Sequence, residues 1–289
     1  MSAALQGPEA TKCALCSSPA TLVLPLPHSN VWRCANPLCS LEFASPQLDE
    51  SQLRAAYTQL YYPVENGEHF VRYENTPEFI LRQVFQRINA GYGPLAGKKV
   101  LDYGCGTGAL CRLALEYAAR PAGIEADAEA RRAISKENRF EAFDTLDSLQ
   151  TARGNMRFDY IFLWEVIEHL RKPWRELARL RKILTPNGRI VISTPNSAGL
   201  KARVLKRRWD NYANRTHFYY FAPRSLRRVL EAAGFSDIIQ LRFTIHYPHH
   251  SPARSVAHRT LMALRLDGEL LYSAGPGVGM DATMTMGLE

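Results

Sequence analysis

Hydrophobic positions change their period along the chain. Between residues 49 and 96 they recur at helical spacing: Leu53, Ala56, Tyr57, Leu60 and Tyr61 form one stripe, and Phe79, Ile80, Val84, Phe85 and Ile88 a second. Apolar residues at i, i+3 and i+4 line one side of a helix, so two helices are expected here. Gly91, Gly93, Pro94 and Gly97 then break the pattern. From Lys98 onward short apolar runs alternate with helical stripes. Strands are expected at 100–103, 123–125, 140–143, 160–164, 189–193 and 235–243. Helices are expected from Ala109 and over 128–138, 174–184 and 223–233. The run at 160–164 is apolar without a break, as in a strand covered on both faces. Pro173 suits a first helical turn, and Pro186-Asn187-Gly188 a stop. Repeated β-α units of this kind predict an α/β fold with a doubly wound, mainly parallel sheet.

Three regions follow from the same pattern. Residues 1–48 are rich in turns and cysteine, 49–96 form a helical lid or linker, and 97–289 form the α/β domain. The stretch 196–222 has no strand pattern and exceeds an ordinary connection, so it reads as a substrate-side insertion. A second insertion is expected near 244–275. A helix near 254–266, a glycine-rich loop at 275–279 and a last edge strand at 282–286 complete the expectation. No internal repeat is visible.

Composition narrows the class. With 46% hydrophobic and 22% charged residues the chain is an ordinary globular protein and not a disordered one. No run of 18 or more apolar residues spans a membrane, and the N-terminus lacks a basic start followed by an apolar run. A cytoplasmic protein is therefore expected. The net charge of +8 favours anionic partners, but only weakly.

Four of the six cysteines fall in the first 39 residues. Cys13-x2-Cys16 and Cys34-x4-Cys39 make two paired knuckles, and thiolates on two tight turns can converge on one tetrahedral Zn²⁺. A segment this small buries little apolar surface, so the metal would supply much of its folding energy. Four cysteine ligands leave no open position for water, which makes the zinc structural.

The stretch Val100-Leu101-Asp102-Tyr103-Gly104-Cys105-Gly106-Thr107-Gly108 joins a strand to a helix. Its glycines permit a tight turn with a ligand against the backbone, and the helix start offers free N–H groups. The spacing G-x-G-x-G differs from the dinucleotide fingerprint G-x-G-x-x-G. Glu125 closes the second strand, where a carboxylate can accept both hydroxyls of a ribose.

On these residues the segment 98–243 resembles the class I S-adenosylmethionine (SAM)-dependent methyltransferases, with their Rossmann-like sheet. Phe158-Asp159-Tyr160, Glu165-Val166-Ile167-Glu168-His169-Leu170, Thr194-Pro195-Asn196, His217-Phe218-Tyr219-Tyr220-Phe221 and Ala233-Gly234-Phe235 extend the resemblance. Over 13–243 the chain is similar to a subgroup with a zinc-ribbon front end and a tyrosine-bearing helical segment. The resemblance implies that Asp102, Gly104, Cys105 and Gly106 surround the methionine part of SAM, and that Glu125 and Ala126 lie at the ribose. It puts Phe143 and Asp144 beside the adenine and Trp164 near the ligand crevice. Tyr61 and Tyr62 would close over the cofactor, while Tyr57 reads better as a packing residue.

A methyl sulfonium is already activated, so the protein must align donor and acceptor and remove a proton. Glu165, Glu168, His169 and His217 are the candidate bases, with His169 preferred. If 165–169 is helical, Glu165, Glu168 and His169 share one face. With His217 they could instead hold a second, divalent metal, as the resemblance to ubiquinone-pathway and small-RNA 2′-O-methyltransferases implies. Lys201, Arg203, Lys206, Arg207, Arg208 and Arg215, interleaved with Leu200, Val204, Leu205 and Trp209, read first as a solvated amphipathic helix capping the substrate mouth. The alternative is a surface for RNA or anionic lipid. The expected function is O-methylation of a small metabolite or sugar. An RNA 2′-O-methyltransferase and a catalytically silent SAM-binding scaffold remain as alternatives, and the oligomeric state is left open.

Overall fold

The computed structural model describes residues 12–61, 64–65, 68–69, 78–137, 139–241 and 269–276. The cysteine-rich segment forms three antiparallel strands: β1 (Ala20–Pro25), β2 (Asn30–Cys34) and β3 (Glu42–Ser45). Helix α1 (Glu50–Tyr61), a short hairpin of β4 (Val64–Glu65) and β5 (Glu68–His69), and helix α2 (Glu78–Tyr92) follow.

The alternating region then folds as its pattern predicts, with one further helix, α5, that the pattern does not predict. It runs through β6 (Lys99–Tyr103), α3 (Ala109–Glu116), β7 (Arg120–Ile124), α4 (Ala128–Glu137), β8 (Glu141–Phe143), α5 (Leu146–Arg153) and β9 (Phe158–Trp164). A 3₁₀ turn (Ile167–His169), α6 (Pro173–Lys182) and β10 (Leu184–Pro195) come next. The insertion carries α7 (Leu200–Leu205), a 3₁₀ turn (Lys206–Arg208), α8 (Asp210–Ala213) and β11 (Tyr219–Tyr220). Helix α9 (Pro223–Ala232), β12 (Asp237–Gln240) and β13 (Glu269–Gly275) close the described chain.

Seven strands lie in the order β12-β13-β10-β9-β6-β7-β8. All neighbours from β10 to β8 are parallel, while β13 runs antiparallel to both β10 and β12. The unbroken apolar run of β9 has a simple cause. Ile161 and Leu163 face the layer of α6 and α9, with Leu177, Leu180, Leu226 and Val229, whereas Tyr160 and Phe162 face α2 and α3, with Phe85, Ile88 and Leu113. Both sides of the strand are covered, so neither needs polar residues.

Two expectations change here. The antiparallel strand is 269–275, inserted inside the sheet, where the sequence led us to expect a connection; the edge strand expected at 282–286 lies outside the described residues, as does the helix expected at 254–266. The reason β13 was missed is local: its run Leu270-Leu271-Tyr272-Ser273 mixes polar and apolar residues, and Ser273 is buried because its hydroxyl accepts from Arg189 Nε at 2.6 Å. The second change concerns the insertion. β11 pairs with β3 and completes a four-stranded sheet β1-β2-β3-β11. Ala202, Trp209 and Tyr212 pack on one face of that sheet, against Val31, Ala44 and Tyr220. Its other face, with Trp32, Phe43 and Tyr219, joins the main core. The insertion helices therefore cover the ribbon.

Candidate active site

Open parallel sheets bind ligands beyond the carboxyl ends of their strands, where the strand order reverses. That point lies between β6 and β9, because the chain leaves β6 for β7 on one side and returns to β9 on the other. The glycine turn closes this edge. Gly104 and Cys105 N–H groups both donate to Ile124 O, at 2.7 and 2.9 Å, which folds the turn back over β7. Gly104 has φ +83°, and a Cβ there would lie 2.6 Å from Val166 Cγ2; at Gly108, with φ +82°, it would lie 2.5 Å from Phe140 Cζ. Both positions thus need glycine for the backbone conformation and for neighbours that pack directly on it.

Glu125 is buried and splits its carboxylate. One oxygen accepts from Gly106 N–H at 2.8 Å and the other from Asp127 N–H at 2.9 Å. It therefore ties the glycine turn to the start of α4. Asp102 is 3% exposed at the end of β6, and burial, with Glu125 nearby, pushes its carboxyl up to about 7. An incoming cation would reverse that shift. Cys105 turns inward: a Cβ on Gly123 would lie 2.5 Å from its Sγ, so its side chain packs and only its backbone faces the turn. Ala126 is exposed, Phe143 is half-buried against the core, and Asp144 is exposed at the end of β8. Trp164 closes β9 and packs beside the α2–α3 layer. The side chain of Tyr61 and all of Tyr62 lie outside the described residues.

The turn after β9 differs from the expected helical face. Glu165 has φ +55°, and its Oε1 accepts from Ser193 Oγ at 2.9 Å. The left-handed residue turns the chain before the 3₁₀ turn begins, so Glu165 is separated from Glu168 and His169. Glu168 is 1% exposed; Oε2 accepts from Thr194 Oγ1 at 2.9 Å. Its Oε1 has no hydrogen-bond partner, alone in this among buried side-chain atoms of the described residues. Burial, and then Glu165, push the Glu168 carboxyl well up.

His169 Nδ1 donates to Thr216 O at 3.0 Å, since a carbonyl can only accept. Its Nε2 then carries the lone pair and lies 4.0 Å from Glu168 Oε1. Burial holds the imidazole down to about 4, partly offset by the Thr216 bond. His217 packs edge-on against His169 with ring centroids 4.6 Å apart. Asn214 uses its Oδ1 to accept from Thr216 N–H and Oγ1, so its amide nitrogen donates to His217 Nε2 at 3.0 Å. Burial, then His169, keep His217 well below its ordinary value. Tyr57, on α1, lies 5.8 Å from His169 centroid to centroid and so joins the site. Thr194, Asn214 and Thr216 carry no chemistry visible in sequence; only their contacts reveal them.

Glu168, His169 and His217 each offer a ligand atom within 4.8 Å of the others, and Glu165 does not join them. The four ribbon cysteines meet the same test. All are free thiols, with Cys13 and Cys39 Sγ 3.9 Å apart and Cys16 and Cys34 Sγ 3.4 Å apart. A tetrahedron with Zn–S of about 2.3 Å has edges of roughly 3.8 Å, so the sulfur spacing fits zinc. The neighbouring Cys39 thiol brings Cys13 down to about 5, and burial raises Cys34 to about 11.

Comparison with known proteins gives the family. The family described as a methyltransferase domain matches residues 77–240. The ubiquinone biosynthesis O-methyltransferase of Idiomarina loihiensis is 30% identical over 160 residues, 50% of this chain and 64% of that protein. The tRNA U34 carboxymethyltransferase of Vibrio atlanticus is 30% identical over 53% of this chain and 50% of that protein. The chain thus spans between a half and two thirds of the length of these curated relatives. The structure of the Burkholderia thailandensis 1,6-didemethyltoxoflavin-N1-methyltransferase, with 1,6-didemethyltoxoflavin and S-adenosylhomocysteine bound, superposes with a TM-score of 0.52 at 18% identity. It covers 88% of this chain and 98% of that one, a likeness of fold.

Proposed function

The chain belongs to the methyltransferase-domain family, and on that premise we propose that it transfers a methyl group from SAM to an oxygen of a small-molecule acceptor. One observation carries this reading: two unlike clusters share one edge of the sheet. Asp102, the glycine turn and Glu125 make a buried anionic cradle, and Glu168, His169 and His217 make a buried acid–imidazole centre beside it. The cradle suits a cationic donor bearing a ribose, with Asp102 toward the ammonium and Glu125 toward the hydroxyls. Phe143 and Asp144 flank the adenine.

In the transfer an acceptor oxygen forms its bond to the methyl carbon as the carbon–sulfur bond breaks in line. The hydroxyl proton passes to His169 Nε2, which carries the ring's lone pair because Nδ1–H is held by Thr216. Burial keeps the ring neutral. The products are the methyl ether and S-adenosylhomocysteine.

A divalent cation held by Glu168, His169 and His217 is a second reading, favoured by the orphaned Glu168 Oε1. Such an ion would lower the pKa of a coordinated hydroxyl. Against it stands Asn214, which already occupies His217 Nε2. In the ribbon Cys13, Cys16, Cys34 and Cys39 hold one structural Zn²⁺. Elemental analysis is expected to find one zinc per chain, lost in a Cys34→Ser/Cys39→Ser variant.

An RNA acceptor is disfavoured because the insertion spends Ala202, Trp209 and Tyr212 on the ribbon, and Lys201 Nζ pairs with Asp210 at 2.7 Å. The test supplies labelled SAM with phenolic and sugar hydroxyl acceptors, and with RNA. Label recovered as a methyl ether on a small acceptor is expected. Transfer only to RNA, with steep salt dependence, would overturn the acceptor class, and SAM binding without any transfer would favour the silent scaffold.

A further inference from the structure

The ribbon and the turn carrying His169 are joined through main-chain hydrogen bonds. Ala44 N–H in β3 donates to Phe218 O at 2.9 Å, and Phe218 N–H donates to Glu168 O at 2.8 Å. Phe218 therefore bridges the two: its carbonyl belongs to the ribbon sheet and its N–H to the 3₁₀ turn. One residue later Tyr219 pairs with Phe43, and its hydroxyl donates to Arg171 O at 2.8 Å, just beyond that turn. Two residues earlier the Thr216 carbonyl takes the ring proton of His169. Thr216, Phe218 and Glu168 are all buried. Buried main-chain groups are costly to leave unpaired, so β3, β11 and the turn move as one piece.

We infer that the four-cysteine ribbon is a positioning element of the transfer site: through Phe218 and Tyr219 it sets the depth of Glu168 and the ring orientation of His169. The cofactor cradle has its own supports, since the glycine turn is held by Ile124 O and Glu125. Loss of the ribbon crosslink therefore uncouples SAM binding from transfer: the donor still binds while the base is misplaced. The inference rests on residues 165–171 being the acceptor side and on the cysteines holding a metal, and its test separates these.

The experiment records ring-nitrogen NMR spectra of the full-length chain with ¹⁵N-labelled histidine, saturated with S-adenosylhomocysteine. His169 is assigned by a His169→Gln variant. In the wild type the Nδ1 proton held by Thr216 should exchange slowly. In Cys34→Ser/Cys39→Ser that protection should fall at least tenfold, with SAM affinity by calorimetry changed less than about threefold. Tyr219→Phe keeps the ring and the cysteines, and should give a smaller fall at unchanged metal content. Unchanged protection of His169 in both variants overturns the inference, and so does loss of SAM binding together with loss of protection in the cysteine variant. If the wild type holds no zinc, the metal reading fails by itself, and Tyr219→Phe with Phe43→Ala still decides whether the ribbon sheet orients His169.

Discussion

In the proposed cofactor half of the site, Asp102, the glycine turn, Glu125 and Phe143 follow one another through successive strand–helix units. In the proposed acceptor half, Ala44, Glu168 and Phe218 come from three distant segments and meet only through buried hydrogen bonds. The first half is a local product. Each strand ends at the same edge because parallel strands joined by helices must, and the chemistry sits on the turns that result. The second half is a product of assembly, with contacts such as Ala44 N–H to Phe218 O joining segments from opposite ends of the chain. Changes in the cofactor half should therefore act on SAM affinity at the point of substitution. Changes in the acceptor half should act on transfer, and can do so from a distance.

The largest expected effect sharpens the cofactor side. Gly106 has φ +50°, and its N–H is held by Glu125. Valine there must adopt a left-handed conformation that β-branched residues avoid, at a cost of about 1–3 kcal/mol or a displaced turn. Gly106→Val should lose SAM binding in calorimetry while circular dichroism stays unchanged; wild-type affinity in this variant would sink the cradle.

On the acceptor side, His169→Ala should keep SAM affinity and lose roughly 10²–10⁴-fold in turnover, the usual worth of general-base help. His217→Ala should lose less. If chelators match both losses on one substrate, the pair holds a cation; if His169→Ala keeps most of its turnover, the base lies elsewhere.

A pH titration distinguishes the halves further. Asp102 sits at about 7 because of burial and Glu125, so below that pH it holds a proton that a cationic ligand must displace. SAM affinity should fall by up to about tenfold per pH unit below about 7 and be flat above it. The sign for stability is the opposite one. The unfolded chain gives up this proton near 4 and the folded chain near 7, so the group's contribution to stability declines as pH rises between them, and SAM relieves the loss. Asp102→Asn should remove both slopes, and a pH-dependent affinity surviving in that variant would assign the titration to another group.

The smallest effect tests how local the cofactor half is. Thr145 caps α5 by accepting from Ser148 N–H at 3.1 Å. Thr145→Ala should cost about 1 kcal/mol in denaturant unfolding and leave transfer unchanged. A turnover defect larger than the stability loss would show that the two halves are less separable than their hydrogen bonds suggest.

Much of this was legible from residues alone, for a physical reason. Strand and helix periods, the glycine turn, the acidic close of β7 and the paired cysteines are all patterns over a few neighbours, and short-range sterics and burial dictate them. What sequence could not supply was decided at long range. The helical face expected for 165–169 became a left-handed Glu165 followed by a 3₁₀ turn, because Glu165 N–H is drawn to Ser193 O and Phe218 to Glu168 O. Tyr57, which reads as a packing residue, lies against His169 only because α1 crosses the site. The insertion, with its basic and apolar residues interleaved, reads as a cap for the substrate mouth, yet Leu205, Trp209 and Tyr212 pack on the outer face of the ribbon while Leu200 and Val204 stay exposed. Sequence thus determined the proposed cofactor cradle and the thiol cluster as local chemistry. Only tertiary structure decided that the ribbon gains its fourth strand from the insertion and that this strand holds the histidine turn. Such pairing is chosen by which buried main-chain groups can satisfy one another once the chain has closed.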